Sequence, residues 1–68
     1  MERRYRVKHP FTAATVGNGA KAKVFRPGES VWWDEEDSSG PVVFKVNGFK
    51  WQADDRVEFT RSIERFQP

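Results

Sequence analysis

The sequence predicts a small all-β domain: a single, strongly bent, five-stranded barrel over residues 1–68, with one short helical turn near the C-terminus. Three observations lead to this fold class. They are a tight hairpin over residues 42–53, a turn at Pro27-Gly28, and several short segments in which apolar and polar residues alternate. Alternation with a period of two is typical of half-buried strands.

The hairpin is the clearest of these elements. Asn47-Gly48 is a preferred pair for a two-residue type I′ turn, because both central positions require φ > 0. The turn fixes the register of the two strands and sets Lys45 opposite Lys50 on the outer side. The other side then collects an apolar face, made of Val42, Phe44, Val46, Phe49, Trp51 and Ala53.

The opposed lysines of the hairpin need a counter-charge. Like charges directly across a strand pair repel, at a cost on the order of a few tenths of a kcal/mol. We expect an acidic neighbour to offset this repulsion, with Glu58 and Glu64 as the candidates. A bound anion is the functional alternative.

The N-terminal third begins with a strand and continues into a segment for which the sequence allows two structures. Residues 5–8 alternate apolar with basic side chains, which predicts the first strand. Pro10 lacks a backbone N–H and indicates an edge or a bend, after which Phe11 returns to the core. Residues 12–22 are small, polar and glycine-bearing, and form either a long hairpin tip or a mobile loop.

The remaining elements follow from local signals. In Pro27-Gly28 the proline presets φ and the glycine accepts the positive φ of a type II turn. Residues 30–33 (SVWW) are the next strand, and an acidic loop over residues 34–41 leads to the hairpin. Asp54 or Asp55 can cap a helical turn near residues 55–60, and a short closing strand follows it.

Composition excludes several function classes. The chain has no cysteine and one histidine, so a disulfide framework, a cysteine-based zinc site and a thiol nucleophile are excluded, and no metal or cofactor is expected. An apolar run of the ~20 residues that span a bilayer is missing, and residues 1–10 lack the apolar stretch of a signal peptide. The expectation is a soluble, cytoplasmic protein without a membrane partner.

The order of elements resembles that of the SH3-like small barrels: strand, long loop, strand, acidic loop, tight hairpin, helical turn, strand. The segments VKHPF (7–11) and PGESV (27–31) also resemble small uncharacterised bacterial and phage proteins with a V-x-x-P-F strand followed by P-G-E-x-V. This resemblance implies the SH3-like fold and no particular activity. Peptide-binding SH3 domains carry a tryptophan pair, and the likeness extends to Trp32 as an aromatic platform.

Adjacent tryptophans give the sharpest functional signal. Neighbours on a strand point to opposite faces, so Trp33 lies with Val31 in the core and Trp32 lies on the face that also carries Asp34. An exposed tryptophan beside an acidic loop is a common binding anchor. We therefore expect a surface for a protein partner, made of Trp32, Asp34, Glu35 and Phe11. The alternative is that Trp32 packs under the long loop or the C-terminal segment.

Charge is distributed unevenly along the chain, which gives a second candidate surface. Residues 1–26 hold seven basic side chains against one acidic, whereas residues 27–68 hold five against nine. Strand alternation aligns Arg4, Arg6 and Lys8 on one side, and Lys23 adds to their charge. Such a basic stripe with nearby aromatics suits nucleic acid, although a solvated strand face is the alternative reading.

Catalysis receives no comparable support from the sequence. His9 has no neighbouring carboxylate or nucleophile, and the chain holds no phosphate loop or metal-ligand spacing. The prediction is a non-enzymatic binding module for a protein partner, with nucleic-acid binding as the alternative. A structural subunit of a phage or mobile-element assembly is a third interpretation, and it leaves a homo-oligomer open.

Overall fold

A computed structural model describes residues 1–17, 19–36 and 40–67. In this part of the chain one curled antiparallel sheet carries a single short helix. The elements are β1 (Arg3–Val7), β2 (Phe11–Thr15), β3 (Ala22–Phe25), β4 (Ser30–Trp33), β5 (Val42–Val46), β6 (Phe49–Ala53), α1 (Arg56–Ser62) and β7 (Ile63–Arg65). No helix among the described residues has the length and apolar character needed to cross a membrane.

The small all-β domain is confirmed, but the count of five strands is wrong. Within the described residues the sheet has seven strands in the order β3-β2-β6-β5-β4-β1-β7, curled into a half-barrel. The additional strands come from residues 11–25, where β2 and β3 form an antiparallel hairpin. Pro10 separates β1 from β2, so that the two strands pair with different neighbours: β1 with β4 and β7, β2 with β3 and β6.

The β5–β6 hairpin has the predicted register. Lys45 pairs with Lys50, and the turn residues Asn47 and Gly48 have φ of 51° and 80°. On the apolar face Val42, Phe44 and Ala53 are buried, and Val46 and Trp51 are partly buried. Phe49 is 69% exposed, which corrects its assignment to the core. It adjoins the turn, at the tip of the hairpin, where the sheet extends past the buried part of its inner face.

Two further local predictions are confirmed. The Glu29 N–H donates to the Arg26 carbonyl at 3.2 Å across the Pro-Gly turn, and Gly28 has φ of 97°. At the start of α1 the Asp55 carboxylate accepts the Glu58 N–H at 3.1 Å, as an N-cap does. The helix is followed directly by a strand, in the predicted order.

The core lies between the inner face of the sheet and α1. Phe59 of α1 is fully buried, and its ring centroid lies 5.0 Å from that of Trp33, 5.1 Å from Phe44 and 5.4 Å from Phe11. Most of these contacts are edge-to-face or tilted, which is a favoured arrangement for aromatic rings. Because the helix covers the inner face, the outer face of the same strands is left for other contacts.

Candidate ligand-binding face of the sheet

A row of aromatic and cationic side chains crosses the outer face of the sheet. The backbone register aligns Arg4 with Trp32, Trp32 with Lys45, and Lys45 with Lys50. At the other end the Phe66 N–H donates to the Arg4 carbonyl at 3.1 Å, which continues the row past the end of β7. We call this set the aromatic–cationic row: Phe66, Arg4, Trp32, Lys45 and Lys50.

Arg4 is the best-anchored side chain of the row. Its guanidinium carbon lies 3.8 Å from the ring centroid of Phe66 and 5.6 Å from that of Trp32. Its Nε and Nη2 donate to the Ser30 hydroxyl at 3.2 and 3.1 Å. A guanidinium over aromatic faces is attracted by the ring quadrupole, so these contacts hold the charge of Arg4 in place.

One of the two lysines at the end of the row has a carboxylate partner. Lys45 lies 3.8 Å from the Glu2 carboxylate, and Lys50 forms no ion pair within the described residues. The predicted partners were wrong: Glu58 belongs to α1 on the inner side, and Glu64 pairs with Arg6.

Trp32 lies in the middle of the row and is half-buried, on the outer face as predicted. Beside it is a shallow recess of about 270 Å³, lined by Glu2, Trp32, Lys45, Asn47 and Gly48. The neighbouring Trp33 is 7% exposed and packs against Phe59. Strand alternation therefore separates the two tryptophans, one for the core and one for the surface.

The acidic side chains predicted to accompany Trp32 are engaged within the molecule. The Asp34 carboxylate lies 3.1 Å from the N-terminal amino group, which lowers the pKa of Asp34, and the Glu36 N–H adds to this effect. Glu35 accepts hydrogen bonds from Arg65 at 2.6 Å and from the Tyr5 hydroxyl at 3.0 Å. The bond from Arg65 is the larger cause of the lowered pKa of Glu35.

The structure separates the other predicted site residues. Phe11 is 3% exposed and belongs to the core, so its assignment to a binding surface is corrected, while its predicted return to the core is confirmed. Arg6 is exposed beside the row and paired with Glu64. Lys8 follows the far end of β1, and Lys23 lies on β3 at the opposite edge of the sheet.

Of the residues in the aromatic–cationic row, sequence reasoning did not assign Phe66 to any surface. It noted Lys45 and Lys50 as an outward pair, but not as neighbours of Trp32. The order of strands in the sheet was the missing information. Two surfaces that were predicted separately, one around Trp32 and one around Arg4, are a single surface because β4 lies between β1 and β5.

A second, larger open groove runs along β2 and the start of α1. It measures about 630 Å³ and is lined largely by small side chains, with Asp54, Asp55 and Glu58 at one end. Asp55 is already used as the helix cap. Within the described ranges no group of His, Cys, Asp or Glu is arranged to hold a metal ion. Residues 37–39 of the acidic loop lie outside the described residues.

Comparison with known proteins gave no match: no protein-family model, curated protein or solved structure is similar to this chain at a significant level.

Proposed function

We propose that this chain is a small non-enzymatic binding module that binds a negatively charged partner on the aromatic–cationic row. The observation that carries this proposal is the continuity of the row, in which three cations and two aromatic rings cross adjacent strands of one face. Exposed charges usually solubilise a protein. Here they alternate with aromatic surface, which is characteristic of a recognition face.

The charge balance of the row favours an anion over a cation. Glu2, at 3.8 Å from Lys45, is the one carboxylate in ion-pair contact with the row among the described residues. Arg4 donates only to a neutral hydroxyl there. A ligand with several negative charges would satisfy these donors and relieve the repulsion between Lys45 and Lys50.

An aromatic and acidic surface for a protein partner has less support. The Asp34 carboxylate already binds the N-terminal amino group, and the Glu35 carboxylate binds Arg65. A basic partner would have to displace these two cations from the carboxylates. The SH3-like assignment, inferred from the order of elements, remains part of this proposal, since small barrels of that kind serve as binding modules.

Inorganic polyphosphate tests the proposal, because it supplies charge without any aromatic group. Titration into the isotope-labelled protein at low salt should shift the backbone amides of the aromatic–cationic row, and the shifts should weaken as salt screens the charges. Lys45→Ala and Lys50→Ala should each weaken binding. Either substitution also removes the lysine repulsion, so a loss of binding is not explained by a loss of fold.

Arg61→Ala is the matched control, because it removes one positive charge from α1 on the inner side of the sheet. Binding should be nearly unchanged in this variant. Amide shifts spread evenly over the chain, or centred on Lys21 and Arg26, would contradict the proposal. So would the absence of shifts at the lowest salt concentration.

A further inference from the structure

We infer that the partner of the aromatic–cationic row is single-stranded nucleic acid, with a base stacked on the exposed part of Trp32 and phosphates bound by the flanking cations. The inference rests on the proposed function and names the class of ligand. Its basis is the position of Trp32 between Arg4 on one side and Lys45 on the other.

The alternation of charge and ring along the row matches the chemistry of a nucleotide chain. Phosphates recur along the chain, and a flat base lies beside each of them. Proteins that bind single strands combine cations that follow the backbone with aromatic side chains on which bases stack. Arg4, Lys45 and Lys50 are the cations, and Trp32 is the central ring.

The surroundings of Trp32 leave room for a base. The recess beside the ring, about 270 Å³ in volume, is bordered by the turn residues Asn47 and Gly48. Gly48 has no side chain to fill it, and the Asn47 amide can donate to and accept from a base edge. Glu2 also lines the recess, where its carboxylate lies 3.8 Å from the Lys45 ammonium.

The stacking contact separates single strands from duplexes. Inside a duplex both faces of each base are covered by neighbouring base pairs, so away from the duplex ends Trp32 could stack only on an unpaired base. Neighbouring strands lie about 4.8 Å apart, so the five positions of the row span about 19 Å. This length suits a short site, near the lower end of the roughly 4–16 nucleotides that one small barrel binds.

The same stacking contact separates nucleic acid from an acidic protein segment. A chain of glutamates offers charge without a flat aromatic face, and it would leave the exposed part of Trp32 unused. The charge of the row attracts both ligands, but the ring distinguishes them. Nucleic acid is therefore the ligand that can contact the Trp32 ring as well as the cations on either side of it.

Fluorescence anisotropy with four labelled ligands tests the inference. These are single-stranded oligo-dT and oligo-rU of about twelve nucleotides, a duplex of equal length, and an oligo-glutamate of comparable charge. One or both single strands should bind at least about tenfold more tightly than the duplex and the oligo-glutamate. The dT and rU arms distinguish DNA from RNA. Affinity should fall with salt between about 50 and 200 mM.

Two substitutions at Trp32 isolate stacking from charge. Trp32→Ala should weaken single-strand binding about tenfold or more and weaken oligo-glutamate binding much less, whereas Trp32→Phe should retain most of the affinity. Lys50→Ala should reduce the slope of log affinity against log salt by about 0.7, the value for one phosphate contact on a single strand. Arg61→Ala should change neither quantity, and the melting temperature of each variant checks its fold.

The outcomes separate the inference from the proposal beneath it. Oligo-glutamate that binds as tightly as the single strands, with Trp32→Ala without effect, would overturn the nucleic-acid inference and leave an acidic protein as the partner. Equal affinity for duplex and single strand would also overturn it. If polyphosphate and all four ligands fail to bind at low salt, the proposed function itself is wrong.

Discussion

The inner and outer faces of the sheet hold two adjacent tryptophans in opposite roles. On the inner face Trp33 is 7% exposed, and its ring lies 5.0 Å from Phe59 and 5.6 Å from Tyr5. On the outer face Trp32 is half-buried and lies beside the Arg4 guanidinium. One residue of offset along a strand changes the neighbour of the ring from another ring to a cation.

This difference shows how a chain of 68 residues divides its aromatic side chains. A domain of this size buries little surface, and it has no disulfide to compensate. The inner face therefore holds a continuous cluster of rings. An aromatic ring left on the outer face contributes less to stability, and the proposed binding function accounts for its position among Arg4, Lys45 and Lys50.

The largest expected effect of a substitution is at Trp33. Trp33→Ala should lower the free energy of unfolding by about 3–5 kcal/mol, because it removes a buried ring and leaves a cavity beside Phe59. Trp32→Ala should cost about 1 kcal/mol. Urea denaturation followed by far-UV circular dichroism measures both, since the midpoint of the transition can be compared between variants whose signal amplitudes differ.

Trp33→Phe keeps the experiment informative if Trp33→Ala does not fold. A domain of this size has a total stability of roughly 3–10 kcal/mol, so the alanine variant can be unfolded in the absence of urea. The phenylalanine variant should be less stable than wild type and more stable than the alanine variant. Equal costs at the two tryptophans, or a larger cost at Trp32, would remove the distinction between the faces.

The second-largest effect on stability is expected at the hairpin turn, which determines the side chains that lie on each face of the sheet. Gly48 has φ of 80°, and an added Cβ would meet no described atom within 4 Å, so the cost of a side chain there comes from backbone conformation. Gly48→Val should lower the free energy of unfolding by about 1–3 kcal/mol, since β-branched residues avoid this region. Gly48→Asn should cost less, because asparagine tolerates it. Thermal melting of the two variants measures the difference.

A valine variant that melts at the wild-type temperature would contradict the type I′ turn. The register would then be open to a shift of β6 by one residue, which moves Lys50 to the inner side and Trp51 to the outer side while β5 stays in place. The separation of the two faces therefore depends on this turn as well as on the packing of the rings.

Short-range chemistry made part of this structure predictable from the sequence. The Asn47-Gly48 register, the Pro27-Gly28 turn and the Asp55 cap each depend on residues within a few positions of one another. The assignment of Trp32 and Trp33 to opposite faces depends only on strand alternation. In each case the backbone conformation is restricted by the residues themselves.

Long-range pairing was beyond the same reasoning. The seven-strand order sets β2 beside β6 and β1 between β4 and β7, and hydrophobic periodicity carries no information about such neighbours. For the same reason the candidate site could not be predicted as a whole from the sequence. Arg4 and Phe66 lie at opposite ends of the chain, and the structure joins them through one backbone hydrogen bond and one cation–π contact.

The smallest effect is expected at the edge of the inner face, where Tyr5, Glu35 and Arg65 form a polar cluster. Hydrogen bonds from Arg65 and Tyr5 lower the pKa of Glu35 in the folded state. The cluster therefore stabilises the fold at pH above the unfolded value of about 4.3, and this contribution is lost as pH falls through the lower folded pKa. Glu35→Gln should be slightly less stable than wild type at neutral pH.

The pH dependence of that difference identifies its cause. Glutamine keeps an acceptor for the Tyr5 hydroxyl and removes the charge that faces Arg65. The difference in melting temperature between wild type and Glu35→Gln should therefore shrink once the pH falls below about 4.3. A difference that stays constant across this range would mean that Glu35 acts through packing. In that case the rings alone, without the charge at their edge, hold the inner face together.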